Sequence, residues 1–179
     1  MIGEKEMNDM IRTMVERRSC RAYKNEQISD AELDDILTAG EWAPTGMGAQ
    51  SPMLVALQNP EVIAKISKLN AEVMGHNMDP FYGAPTVVVV FADRSRVTYM
   101  EDGVLAMGNM MNAAHSLGVA SCWVHRATQV FDTQEGKGLM KEWGVPEGYV
   151  GIANCILGYA AAPLAEGKVR KENYIIKVK

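Results

Sequence analysis

Arg17, Arg18, Ser19 and Arg21 place three guanidinium groups and a hydroxyl within one short stretch, and Lys168 and Arg170 form a second cationic pair near the other end. Arginine carries a permanent charge on a fork of donors that fits phosphate oxygens, and serine adds a hydroxyl donor. Such a set can hold one phosphate through several charge-assisted hydrogen bonds. The competing reading is structural, because cations also suit the negative C-terminal pole of a helix and the arginines follow a helical pattern. The chain as a whole is acidic, with a net charge of −4 and a pI near 5.4. A duplex nucleic-acid binder would need many cations facing phosphates, so no nucleic-acid partner is expected. Local cations on an acidic chain point instead to a small anionic ligand.

Other chemistries find less support. His76, His115 and His125 are widely spaced and neither HExxH nor CxxC occurs, which argues against zinc. Cys122 and His125 could pair as nucleophile and base, but a thiol packed beside Trp123 is the weightier reading. No glycine fingerprint for a dinucleotide pyrophosphate follows a strand pattern, and no Walker loop is present, so nicotinamide, if used, is a passing reactant. Cys20, Cys122 and Cys155 are odd in number and unpaired in spacing, which fits thiols in a reducing cytosol and a cytoplasmic location. Met1–Met10 lacks the apolar centre of a secretory signal. The longest strongly apolar run, Val87–Ala92, is far short of the roughly 20 residues that cross a bilayer, so no membrane partner is expected.

These residues must be positioned by ordered elements, and 179 residues suffice for one domain spanning 1–179. Met7, Met10, Ile11, Met14 and Val15 recur at helical spacing and deliver the arginines at the end of a first helix. Ser29–Glu32 is a capping-box pattern opening a second helix with a stripe of Leu33, Ile36, Leu37 and Gly40, limited by Pro44. Thr45–Pro52 reads as a loop whose glycines let backbone approach a ligand. Met53–Leu57 reads as a strand, and Asn59 and Pro60 as the start of a third helix. Gly75–Gly83 reads as a loop or flap. Thr86–Phe91 is β-branched or aromatic throughout, as in a strand covered on both faces. Tyr99–Leu117 predicts a central helix buried almost all round, with Gly118 as its stop. Ala120–Val124 and Tyr149–Leu157 predict strands, Thr133–Trp143 a surface helix, and Tyr174–Val178 an edge strand on this or a partner subunit. Thirteen methionines suit the filling of irregular core gaps. Helices outnumber strands without regular βαβ alternation, which implies an α+β layer domain.

Taken in order, Arg17-Arg18-Ser19-Cys20-Arg21, Ala43-Pro44-Thr45 with Gln50, Gly118 to Trp123, and Gly158-Tyr159 with Lys168 and Arg170 resemble the FMN-dependent nitroreductase family. The resemblance spans nearly the whole chain, and four short motifs in order are far more specific than any one. It implies a three-layer α/β/α fold with a central, mostly antiparallel sheet, in an interlocked homodimer with FMN at each of two interface sites. It also implies that Arg17, Arg18, Ser19, Arg21, Lys168 and Arg170 hold the ribityl phosphate, which carries nearly two negative charges. Pro44, Thr45, Gly46 and Gln50 would lie over the isoalloxazine ring of the partner. Asn77 would reach the pyrimidine edge, and backbone at Trp123, Val124 and His125 would approach flavin N5. The chain departs from its relatives at Gly48, where asparagine is common, and at Pro52 or Met53, where tryptophan is common.

The resemblance implies hydride transfer from NAD(P)H through flavin N5 to an electron-poor small-molecule acceptor such as a nitroaromatic or quinone. No protein nucleophile or general acid is then required, so no catalytic side chain and no metal ligand is assigned. Two alternatives stay open at this level. One is a non-catalytic protein that binds, stores or senses FMN. The other is a helical interaction protein with merely solvated arginines, which leaves the four ordered motifs as coincidence.

Overall fold

The structure, a computed structural model, describes residues 7–179. Met1–Glu6, part of the segment read as lacking a secretory signal, lie outside the described residues. Helix α1 covers Asp9–Glu16, and α2 covers Asp30–Glu41. A single 3-10 turn at Gly46–Gly48 precedes strand β1, Pro52–Leu57. There follow α3 (Pro60–Met74), β2 (Thr86–Asp93), α4 (Tyr99–Ser116) and β3 (Ala120–Val124). The chain continues with α5 (Ala127–Asp132), α6 (Gln134–Glu142) and β4 (Tyr149–Gly158).

The four strands form one antiparallel sheet in the order β1-β2-β4-β3. Val87, Val89 and Phe91 point to a layer made by α3, α5 and α6, where they meet Ile63, Ile66, Leu69, Val130, Phe131 and Leu139. Val88, Val90 and Ala92 point the other way, onto Leu33 and Ile36 of α2 and Met107, Met110 and Ala114 of α4. Every residue from Thr86 to Ala92 is fully buried, as a strand between two helical layers must be. The architecture is therefore the expected α/β/α sandwich. Phe91 and Phe131 close one layer edge-to-face, with ring centroids 4.8 Å apart.

The helix starts follow local chemistry. The Ser29 side chain accepts the Glu32 amide while Glu32 accepts the Ser29 amide at 2.8 Å, the reciprocal cap read from the sequence. Asn59 accepts from the amides of Glu61 and Val62, and Pro60 takes the first helical position of α3.

Three expectations are corrected. Helix α4 is not buried almost all round: Asp102, Gly103, Ala106, Met107, Met110 and Ala114 are buried, but Val104, Leu105 and Leu117 are exposed. Alanine and glycine among the apolar residues hid which side faces the sheet. Of the two places expected for a Tyr174–Val178 strand, the edge of this chain's own sheet is excluded, since the residues are exposed and carry no ladder partner among the described residues. Helix α5 was not foreseen at all, because six residues are too few to show a period.

Candidate functional site

The segments that carry the two cationic clusters come together along the sheet margin, between residues 19–24 and 159–161. Ser19 pairs in parallel with Ser121 of β3, and the Cys20 amide donates to the Ser121 carbonyl at 3.0 Å. Tyr23 then bridges Ala160, with the Lys24 amide donating to Tyr159 and the Ala161 amide donating to Ala22, both at 2.9 Å. The stretch that leaves β4 is thereby sewn to the stretch that leaves α1. Lys168 and Arg170 follow a few residues later, both exposed.

At this seam lies a small cavity of about 190 Å3 lined by Arg17, Arg18, His115, Gly118, Val119, Ala120, Ser121, Ala160 and Leu164. Three of these residues carry a polar atom, Arg17 Nη1, Arg18 Nε and Ser121 Oγ, that is buried without a hydrogen-bond partner among the described residues. Leaving buried polar atoms unmatched costs about 1–3 kcal/mol each, more for charged ones. The volume exceeds several times the roughly 30 Å3 share of one water, which leaves room for a phosphate group. The lining is cationic, and its residue types fit the phosphate of FMN. Arg21 is exposed, and Ser19 is half-buried beside Arg18.

The remaining sequence-predicted residues sit elsewhere. Trp123 is half-buried and packs on the α2/α4 side of the sheet, Val124 is buried on the opposite side, and His125 emerges into solvent. Arg126 next to it adopts a left-handed backbone, φ 83°, before α5 begins. Asn77 is exposed and lines a groove of about 800 Å3 along α3 with Gln27, Gln58 and Ser67. Thr45 and Gln50 line a different cavity against α2, with Trp42 and Leu54. Pro44 is exposed and Gly46 half-buried within the same turn. Within one chain, therefore, the loop and the arginine cavity share no wall.

Two sets of residues escaped the sequence. Ser121 is a hydroxyl inside an otherwise apolar strand, and its alternation with Cys122 was the available signal. Asp102 reads as an ordinary acid in the first turn of a helix, yet it is buried and holds the loop. Its carboxylate accepts the Ser51 hydroxyl at 2.6 Å, the Gly46 amide at 2.9 Å and the Thr98 hydroxyl at 3.3 Å. Burial pushes its pKa up, but these three hydrogen bonds outweigh it and hold the group below its ordinary value. The loop turns through left-handed backbone at Met47, Gly48 and Gln50, and the Thr45 hydroxyl accepts the Gln50 amide at 3.0 Å.

The thiols offer no nucleophile. Cys20, Cys122 and Cys155 are free and buried, and burial pushes the Cys155 thiol up to about 12. The Cys122 thiol donates to the Trp123 carbonyl at 3.5 Å, while His125 is exposed, so the considered Cys122–His125 pair does not form.

Comparison with known proteins matches residues 14–159 to the Nitroreductase family. A crystal structure of a nitroreductase with bound FMN from Bacteroides fragilis superposes with a TM-score of 0.90 at 30% identity, covering 97% of this chain and 100% of that one. A second FMN-bound nitroreductase structure, from Desulfitobacterium hafniense, gives a TM-score of 0.87 at 28% identity over 97% and 100%. An Archaeoglobus fulgidus protein provisionally named NADH dehydrogenase/NAD(P)H nitroreductase is 30% identical over 159 residues, 86% of each chain.

Proposed function

Since the chain belongs to the Nitroreductase family, we propose that it is an FMN-dependent oxidoreductase that passes hydride from NAD(P)H through flavin N5 to an electron-poor small-molecule acceptor. The observation that carries this reading is one small cavity lined by Arg17, Arg18 and Ser121, each of which holds a buried polar atom with no hydrogen-bond partner among the described residues. Arg17, Arg18, Ser19 and Ser121 would hold the phosphate from one side, with Arg21, Lys168 and Arg170 adding charge at its rim. Asn77 and the backbone at Trp123, Val124 and His125 would flank the ring. No protein nucleophile is assigned, because the flavin would carry the bond chemistry.

We infer a homodimer from what one chain leaves uncovered. Met10, Ile11, Met14 and Val15 on α1, Val104 and Leu105 on α4, and Tyr174, Ile175, Ile176 and Val178 in the tail are all exposed. Apolar faces of that extent mark an interface in a folded protein. A second copy would cover them and bring Pro44, Thr45, Gly46 and Gln50 over the partner's ring, which explains why these residues stand apart from Arg17 within one chain. No described helix is long and apolar enough to cross a membrane. A cytoplasmic location completes the proposal.

Purified protein should be yellow, release FMN on denaturation, and lose its oxidised flavin absorbance when mixed with NADH or NADPH. Arg17→Ala combined with Arg170→Ala should strip the colour. A colourless protein that ignores added FMN overturns the reading. A yellow protein that stays oxidised with both nicotinamides would be a flavin carrier and not a reductase.

A further inference from the structure

Arg18 is engaged on almost every side. Its Nη1 donates to the carbonyl of Val15 at 2.6 Å and to that of Arg17 at 2.8 Å, so the guanidinium caps the C-terminal end of α1, where a cation also meets the helix's negative pole. The other arm of the fork lies against residue 167. A Cβ at Gly167 would overlap Arg18 Nη2 and come within 2.7 Å of Cζ. Gly167 is not among the glycines with left-handed backbone, so its conformation does not demand glycine. What fills the space beside it is the Arg18 guanidinium, which a Cβ there would oblige to shift.

This contact falls where the chain has little else to hold it. After β4, the Ala161 amide is tied to Ala22 and Leu164 packs against the core, but every residue from 165 to 179 is exposed and none lies in a helix or strand. Lys168 and Arg170 stand one and three positions beyond Gly167. Free segments of this kind sample many conformations, and ordering them costs roughly 1–2 kcal/mol of backbone entropy per residue. An anchor at residue 167 shortens the free arm carrying the two cations.

We propose that Arg18 and Gly167 form a clasp that positions Lys168 and Arg170 toward the phosphate cavity that Arg18 lines. The proposal rests on the FMN reading above, and Gly167 acts through the two cations without touching the ligand. Gly167→Ala is the probe, because it removes no donor and crowds only the Arg18 guanidinium, whose own part in binding is separated by the Lys168→Ala, Arg170→Ala background below. Binding of FMN and of riboflavin to apo-protein is measured by flavin fluorescence, and release of the C-terminal peptide from apo-protein by trypsin with mass detection. Gly167→Ala should weaken FMN by about 10-fold while changing riboflavin, which lacks the phosphate, by less than about 2-fold. It should also speed cleavage after Lys168. In a Lys168→Ala, Arg170→Ala background the same substitution should change FMN affinity no further. FMN affinity and cleavage equal to wild type, or equal losses for FMN and riboflavin, overturn the clasp. A wild-type protein that binds no FMN overturns the flavin reading instead.

Discussion

Asp102 is a single buried carboxylate that organises a loop fifty residues away in sequence, and its consequences can be tested. Asp102→Asn keeps the shape but sets an NH2 group against hydroxyl donors, and should cost about 1–3 kcal/mol in urea unfolding. The wild-type carboxyl is held below its ordinary value, so its stabilisation is complete above the unfolded pKa near 3.8 and is lost as pH falls through the lower folded value. Acid unfolding of Asp102→Asn should lack that limb, and identical acid profiles would refute the assignment. At Arg126 the left-handed backbone is unusual for a residue with a Cβ. Arg126→Gly should leave thermal stability unchanged or raise it by up to about 1 kcal/mol, since relieved strain opposes the added freedom of the unfolded chain. Arg17 and Ser19 were readable as candidate anion ligands from residue type and spacing. Ser121 and Asp102 were not, because a lone serine in a strand and a lone acid in a helix are commonplace until burial and partners are known.

Helices α2 and α4 touch through a glycine. A Cβ on Gly40 would come within 2.7 Å of Met110 Cγ and 2.9 Å of Leu54 Cδ1, so α2 lies closer to α4 and β1 than any larger residue allows. Gly40→Ala should therefore destabilise the fold by about 1–3 kcal/mol in spite of alanine's better helix propensity, as measured by denaturant midpoint. A gain in stability would mean that Met110 and Leu54 repack freely. At the same scale, Ser29→Ala should cost about 1 kcal/mol through the lost cap. Elements with strong local signals, such as the capped start of α2, the Asn59-Pro60 start of α3 and the wholly apolar β2, were legible because their signals lie within a few residues. Helix α5 was not, since its six residues are held by tertiary contacts to β4.

For the whole molecule the uncovered apolar faces matter most. Leu105 is 46% exposed on α4 in one chain, and a second copy would bury it. Leu105→Glu should yield a monomer in analytical ultracentrifugation and lose FMN together with the dimer, because the loop at Pro44–Gln50 then has no ring to cover. A monomeric wild type, or a dimer indifferent to this change, would remove the homodimer from the proposal.

Sequence alone determined the layer class, the buried strand, the capped helix starts and the candidates for holding an anion, because periodicity, capping and donor chemistry are local properties. Tertiary structure decided which of those residues share a site. Pairing of Ser19 with Ser121 and of Tyr23 with Ala160 draws chain segments more than a hundred residues apart to one sheet margin. It also turned Arg18 from one more cation into a cap for α1 that bears on Gly167. Such meetings depend on strand order and on side-chain contact, and neither is written in the spacing of residues along the chain.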